Sequence, residues 1–499
     1  MTNGFIRYEV KNGVEYASVY KARRAGDKKT NDIEWLGRVI DKEKGVYKSR
    51  ARGVFSFTLD DGVVEQITEA NEKLILDFGD CYFFDTVLED SKYKDVLASV
   101  FGDMSDTILS LIYYRSLQGG ASYYAGDWWE GSYARILFPR ASLSSQRISE
   151  ALKSVGDEAV VRGFFEKYLR YIASMVGSGV LIDSTGLPND IRFPLTEISN
   201  HGGEISNEAR LVLVLDRESG MPIYFRYVAG NIVDVTTLET TLDEVKMYGM
   251  DVYCAIIDAG YYSEKNVRAL QNKGISFVMR MAPNRKLYKE LVQVHAPGIE
   301  DAKHLVRYRD RFLYIKRVEI DLFGQVGYAY VSEDIDRKHD ETKKYMRGAL
   351  DNGDIAPETM NAEMKEKGLF ILVSSERIEV DEILPLYYTR QAIEQVFDIG
   401  KNNADMLPLR VHSIEGFRGH LLLSFIASAA YIIANKAAKK SNYCATGVYR
   451  VMRNLKCKVF DQVIIVQEPN KKMNDIAKSA GFNYPTKISL LCGEKAVGN

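Results

Sequence analysis

The sequence predicts a mixed α/β protein, and three observations carry that reading. Short apolar runs that end on an acid, GVLID (179–183) and DVYCAIID (251–258), have the length and β-branched content of buried strands. Helical periodicity separates such runs, as in TTLETTLDEVKMYG and AGYYSEKNVRALQNKG. A third kind of segment opens the chain: FIRYEV, VEYASVY and WLGRVI are strand-like and are set apart by NG, AGDKK and DKEKG.

Taken in order, residues 1–60 form a basic N-terminal β region and residues 61–175 a helical region. The helical patterns there are KDVLASVFGDMSDTILSLIYYRSL and SSQRISEALKSVGDEAVVRGFFEKYLRYIASMV, the second capped by Ser144 or Ser145. Residues 176–283 hold the first part of a catalytic core. GVLID, ARLVLVLD and MPIYFRYV are strands, followed by a helix, DVYCAIID, a second helix and ISFVMRM. That order resembles an RNase H-like fold. Residues 284–380 break the rhythm with RFLYIKRVEI, VGYAYVS and LFILVSS, and read as a mostly β insertion with a helix at KKYMRGALDNG. Residues 381–440 return to the core through a helix over about 382–401 and an apolar helix over about 414–438. Residues 441–499 form a C-terminal tail.

Composition narrows the function classes. The five cysteines, Cys81, Cys254, Cys444, Cys457 and Cys492, form no CxxC pair, which points to a reducing compartment without a zinc site. His201, His295, His304 and His339 are scattered and read as surface or loop residues. The start, MTNGFIRYEVKNG, lacks the apolar run of a signal peptide. The apolar 414–438 segment carries Arg418, His420 and Lys436, which favours a buried core helix over a membrane span. Net charge is −2, yet residues 1–55 hold 13 Lys/Arg against 7 Asp/Glu, and Arg450, Arg453, Lys456 and Lys458 cluster in the tail. Such runs, taken singly, are more readily solvated faces than nucleic-acid contacts.

The chemistry rests on carboxylates. Two-metal phosphodiester cleavage needs hard oxygen ligands converging from different elements. Asp183 and Asp258 each end an apolar strand, where a sheet edge usually receives ligands. Either alone is as readily a turn or cap acid. Tyr387, Arg390, Glu394 and Lys401 share one face within about 60° on a continuous helix. That face offers a carboxylate for metal and cations for phosphate, although Arg390 and Glu394 are also an ordinary i,i+4 pair.

At this point the sequence resembles the DDE transposases of bacterial insertion sequences, in the branch marked by a Tyr-Arg-Glu-Lys signature. The spacing Y-x2-R-x3-E-x6-K is met at Tyr387, Arg390, Glu394 and Lys401. The family's Asp-x-Gly-Tyr is met at Asp258, Gly260 and Tyr261, and its first acid segment is similar to Ile182–Gly186. SGMPIYFRYVAGNIVDVTTL (219–238) and Arg410-Val411-His412-Ser413 through Gly419-His420 also resemble the family. The resemblance implies that Asp183, Asp258 and Glu394 are catalytic and bind two Mg²⁺ or Mn²⁺ ions. It implies that Tyr387, Arg390 and Lys401 contact DNA phosphates, and that the partner is double-stranded DNA held by a homodimer. It also implies a cytoplasmic, nucleoid-associated protein performing cut-and-paste transposition. Glu394 lies 136 residues after Asp258, a gap that the branch's β insertion domain explains. One feature departs: relatives use an insertion-domain Trp on a flipped base, whereas the tryptophans here are Trp35, Trp128 and Trp129. Tyr308, Phe312, Tyr314 or Tyr328 is then the candidate stacking group. Trp128 and Trp129 read as core rather than as a DNA wedge. Asp190, Asp216 and Asp398 are competing acids whose default roles are caps or surface. The competing functions are a structure-specific nuclease on the same fold and a domesticated DNA-binding protein without catalysis.

Overall fold

The computed structural model describes all residues except 1–3, 12, 26–27, 50–52, 60–61, 68–73, 190–192, 200–204, 353–355, 403–405, 408, 410, 461 and 491–499. Asp190, His201, Arg410 and Cys492 therefore lie outside the described residues. The chain divides into two compact units. The first comprises Met1–Leu76, Cys457–Gln467 and Pro485–Asn499; the second comprises Asp77–Lys456 and Glu468–Tyr484.

In the first unit, β1 (Gly4–Lys11), β2 (Val14–Ala25), β3 (Lys28–Asp41), β4 (Val46–Ser49), β5 (Gly53–Thr58) and β6 (Gly62–Ile67) form an antiparallel sheet in sequence order. Period-2 alternation buries Ala17, Val19, Leu36, Tyr47, Phe55 and Phe57 on one face. A second sheet has the order β20 (Lys487–Ser489), β19 (Val463–Val466), β18 (Lys456–Val459), β7 (Leu74–Asp77). Strands β6 and β7 lie beyond residue 60, in a stretch that the sequence pattern had made helical.

The second unit begins with α1 (Gly79–Asp90), α2 (Tyr93–Phe101), α3 (Ser105–Leu117), α4 (Ala125–Gly131), α5 (Ala134–Leu137), α6 (Ser145–Val155) and α7 (Glu158–Ile172). Each of the two long helical patterns is broken once. A 3₁₀ turn at Gly102–Met104 separates α2 from α3, where Gly102 takes a φ of 52°. Ser144 caps α6 by accepting from the Arg147 N–H, and Asp157 caps α7.

The mixed sheet follows in the expected order. It is built from β8 (Gly179–Pro188), β9 (Glu197–Ser199), β10 (Ser206–Asp216), β11 (Pro222–Ala229), α8 (Leu238–Met247), β12 (Cys254–Ile257), α9 (Glu264–Asn272) and β13 (Ser276–Arg280). The 284–380 stretch then supplies α10 (Lys286–His295), β14 (Leu305–Tyr308), β15 (Arg311–Asp321), β16 (Val326–Asp334), α11 (Ile335–Asn352), α12 (Pro357–Lys365) and β17 (Leu369–Ser374). The ten-stranded sheet runs β11-β10-β8-β12-β13-β17-β16-β15-β14, with β9 on β10. Strand β8 is parallel to β12, and β12 to β13; the other pairings are antiparallel. The stretch expected to be a mostly β insertion thus extends the same sheet and adds three helices. The reason lies in β17: all six of its residues are buried, so it needs pairing and cover on both sides, and β13 and β16 flank it.

The second unit closes with α13 (Ile383–Tyr388), α14 (Gln391–Asn402), α15 (Ile414–Ala438), α16 (Ala445–Met452) and α17 (Lys471–Ala480). By length and composition, the helical stretches Tyr93–Leu117 and Ile414–Ser441 could each cross a membrane. Most of the apolar length of the second is buried inside the unit, where α15 packs on α3, α6, α14 and β11. Its polar anchor is also buried. Arg115 of α3 donates to the His420 carbonyl (3.2 Å) and the Ser424 hydroxyl (2.8 Å), and its guanidinium meets His420 Nδ1 (3.2 Å). His420 Nε2 lies 3.1 Å from the Met406 carbonyl. Burial first, and then the Arg115 charge, hold His420 down at about 3, so the ring is neutral. The pairing fixes its tautomer, with Nε2–H donating and Nδ1 accepting.

Backbones meet where α6 ends and α15 begins. A Cβ on Gly156 would overlap the Glu415 carbonyl, and one on Gly419 would overlap that of Leu152. Gly419→Ala is expected to destabilise the protein by roughly 1–3 kcal/mol, the cost of overpacking a contact that cannot yield. Denaturant unfolding should show it as a lowered midpoint with an unchanged slope, whereas Gly131→Ala, with open space around its Cα, should not.

Candidate active site

Sheet register brings the first two acids together. The parallel pairing of β8 and β12 ends at Ile182 opposite Ile257, so Asp183 and Asp258 are the next residues on neighbouring strands. Asp183 does not end its strand, as the sequence suggested. β8 continues to Pro188 because the longer β10 keeps bonding to it, with Asp183 opposite Leu213. What ends at Asp183 is the parallel pairing alone, while β12 stops and turns at Asp258.

The helix carrying the third acid is not continuous. Between α13 and α14 the amides of Thr389, Arg390, Ala392 and Ile393 bond to carbonyls three residues back, at 2.9–3.3 Å, in place of the four-residue ladder. The single-face projection therefore fails across Thr389–Arg390, yet the side chains still converge. Tyr387, buried on α13, donates its hydroxyl to Asp258 Oδ1 at 3.2 Å. Arg390 lies among all three acids, at 2.7 Å from Asp183, 3.3 Å from Glu394 and 3.7 Å from Asp258. Lys401 Nζ donates to Thr185 Oγ1 at 2.8 Å, two residues beyond Asp183.

Exposure falls in steps through the three acids: the side chains of Glu394, Asp258 and Asp183 are 57%, 36% and 14% exposed. Burial, opposed by Arg390 and reinforced by Asp258, pushes Asp183 up to about 7. Burial alone would lower Arg390, but Asp258, Tyr387, Asp183 and Glu394 raise it on balance. Burial also raises Tyr387 and lowers Lys401. One guanidinium facing three carboxylates leaves negative charge in excess, and the donors are all hard oxygens. That set fits a divalent cation of the Mg²⁺ or Mn²⁺ type. Among the described residues, no three Asp, Glu, His or Cys side chains already stand as a finished metal cage. Arg390 occupies the space between the acids.

Residues 175–429 match the family described as Transposase DDE domain, about half of the chain. The chain belongs to the DDE transposase domain family. No curated protein sequence matches it. A solved structure, described as a cryo-EM structure of a piggyBac transposase synaptic complex with hairpin DNA, aligns over 80% of this chain and 72% of that one. The two are 14% identical with a TM-score of 0.36, too distant to carry detail.

Of the competing acids, Asp216 and Asp398 lie within the described residues. Asp216 is fully buried and accepts from the Gly177 and Ser219 amides, a turn role. Asp398 is exposed on α14 and its charge acts on Lys401. Of the aromatic candidates, Tyr308 stacks on Tyr388 at 5.1 Å, beside Tyr387, and Phe312 is exposed. Trp129 donates to the Phe138 carbonyl and Trp128 packs edge-on to Tyr114, both half-buried. The tail cluster is partly structural: Arg453 is spent on Asp80, Gln118 and the Leu117 carbonyl, and Lys456 pairs with Asp77.

Sequence reasoning missed a buried ionic group behind the acids: Glu208, Arg210, Asp234 and Ser184. The signal was present as charged residues inside the apolar run NEARLVLVLD and an acid in GNIVDVTT.

The raised Asp183 carboxyl has a consequence for the metal-free protein. Its native form holds a proton between the ordinary carboxylate range and about 7, where the unfolded chain does not. Stability from this group is present at low pH and is lost as pH rises through about 7. Denaturation midpoints of metal-free protein between pH 5 and 8 should fall with pH, and Asp183→Asn should flatten the slope. An unchanged slope in that variant would refute the assignment.

Proposed function

We propose that the chain is a cut-and-paste DNA transposase of the bacterial insertion-sequence type, in the Tyr-Arg-Glu-Lys branch. The observation that carries this reading is the convergence of Asp183, Asp258 and Glu394 on Arg390 at the end of the β8–β12 pairing. The sheet order β11-β10-β8-β12-β13, three antiparallel strands followed by two parallel to the first, supports an RNase H-like core. In this reading Asp183, Asp258 and Glu394 hold two divalent ions, Mg²⁺ or Mn²⁺. When bound, these would polarise the scissile phosphate, activate the attacking water or 3′-hydroxyl and stabilise the leaving oxygen.

The chain's own residues do the positioning. The Tyr387 hydroxyl fixes the Asp258 carboxylate through the 3.2 Å bond. Arg390 neutralises the acids while they are otherwise unpaired, and its planar fork then suits a phosphate. Lys401, half-buried on Thr185, is a second phosphate cation whose lowered pKa reflects its removal from water. Tyr308, held on Tyr388 next to Tyr387, is the aromatic of the 284–380 stretch to which this reading gives the stacking of a displaced base. The partner is double-stranded DNA carrying terminal inverted repeats, bound by a homodimer across two ends in the cytoplasm. The N-terminal β region, the helices before residue 175 and the tail supply the remaining DNA contacts.

With Mg²⁺ or Mn²⁺ and a labelled inverted-repeat duplex, the purified protein should cleave strands. Asp183→Ala, Asp258→Ala and Glu394→Ala should each lower the rate by about a thousandfold or more. Full activity in all three variants sinks the assignment. A pre-cleaved end offered with target DNA separates strand transfer from hydrolysis alone.

A further inference from the structure

Behind the three acids, on the opposite face of the sheet, lies a group of charges that phosphodiester chemistry does not call for. Side chains alternate along β8, so Asp183 and Thr185 face α14, while Ser184 and Gly186 face the other way. Asp234 sits on that reverse face, in a 3₁₀ turn between β11 and α8. Its Oδ1 accepts from Ser184 Oγ at 2.5 Å and from Arg210 at 3.0 Å. Its Oδ2 leaves no room at the turn after Asp258, since a Cβ on Gly260 would lie 2.8 Å away. Arg210 also donates to Ser199 at 3.2 Å and lies 3.7 Å from Glu208. Asn266 completes the tie. Its amide donates to the Val235 carbonyl at 2.9 Å and to the Tyr261 carbonyl at 2.8 Å, joining the Asp234 turn to the Asp258 turn.

We propose that Asp234 is a positioning residue that sets the separation of Asp183 and Asp258, by tying Ser184 on one strand to the 3₁₀ turn that Asn266 joins to the turn following the other. Stability does not explain the arrangement. A buried ion-pair network is often replaceable by apolar groups at no loss, and removing one partner leaves a stranded charge. Asp234 also adds negative charge behind Asp183, which raises the difficulty of ionising it. What the network supplies is geometry: Asp234 bonds the residue after Asp183, and Asn266 joins its turn to the turn after Asp258. Metal ligands need such outer support to hold their orientation. Asp234 is not itself a ligand, because its Oδ1 is engaged twice by residues on the face of the sheet opposite Asp183.

The inference rests on Asp183 and Asp258 as metal ligands, and its test separates the two ideas. The Mn²⁺ dissociation constant of full-length protein is measured by titration calorimetry, together with affinity for an inverted-repeat duplex without metal. Asp234→Ala should weaken Mn²⁺ binding by about 10–100-fold with duplex affinity unchanged. Asp234→Asn keeps an acceptor for Ser184 and Arg210, and should recover most of that loss. Ser184→Ala should weaken Mn²⁺ binding too, and should add little to Asp234→Ala, because both cut one connection. If Asp234→Ala does not fold, Ser184→Ala alone decides, since it leaves the Arg210 pair in place. Wild-type Mn²⁺ affinity in Ser184→Ala or Asp234→Ala, or additive losses in the double variant, overturns the proposal. Asp183→Ala is the control: if it too binds Mn²⁺ like the wild type, the reading of the site fails and not only the role of Asp234.

Discussion

Three carboxylates cannot be gathered at one point unless a cation stands among them, and Arg390 is that cation. Its guanidinium reaches Asp183, Glu394 and Asp258 within 2.7–3.7 Å. Repulsion between like charges grows as water is withdrawn. The most buried acid feels that most, and the rise of Asp183 to about 7 persists even with the arginine beside it. The surrounding structure reads as a set of devices for holding this unfavourable arrangement still. Sheet register fixes two acids, the break between α13 and α14 aims the arginine at them, and α15 backs α14.

The close approach of helix to helix belongs to the same logic. α14 packs on β8 and α15 on β11, and α15 is itself seated on α6 with no side chain between Gly419 and the Leu152 carbonyl. The buried Arg115–His420 pair fastens α3 to α15 and, through the Met406 carbonyl, to the segment that follows α14. A neutral imidazole serves there because it can donate at one nitrogen and accept at the other. A protonated ring could not accept from Arg115, and burial keeps the proton off.

Much of this was legible in the sequence, and the illegible parts share a cause. Apolar runs ending at Asp183 and Asp258 marked buried strands, and the order of strands and helices from β8 to β13 followed from periodicity. Those signals are local. Register is not local, so nothing in GVLID said that β8 would run on past Asp183 against β10. The helix break at Thr389–Arg390 was invisible because no Gly or Pro marks it; side-chain contacts to the sheet outweigh the ladder there. The 284–380 stretch looked like a separate body because its segments alternate differently, but β17 is apolar on both faces and is flanked by β13 and β16. The Arg453 and Lys456 cluster read as a solvated face or a DNA surface because a sequence shows charges and not their partners, Asp80 and Asp77.

The same blindness hid Asp234, and the two faces of the sheet explain why it matters where such a residue lies. On one face, Leu211 and Leu213 pack with Val396 and Phe425 of the helices α14 and α15, an apolar contact that sets distance but tolerates sliding. On the other face, hydrogen bonds from Ser184, Arg210 and Asn266 are directional and weaken steeply when misaligned. A site whose chemistry depends on the spacing of two carboxylates gains little from more apolar contact and much from directional ties. The placement of polar bonds behind Asp183 and apolar bulk beside α14 therefore divides the work, one face setting the angle and spacing of the acids and the other the seat of the helix that brings Arg390 and Glu394.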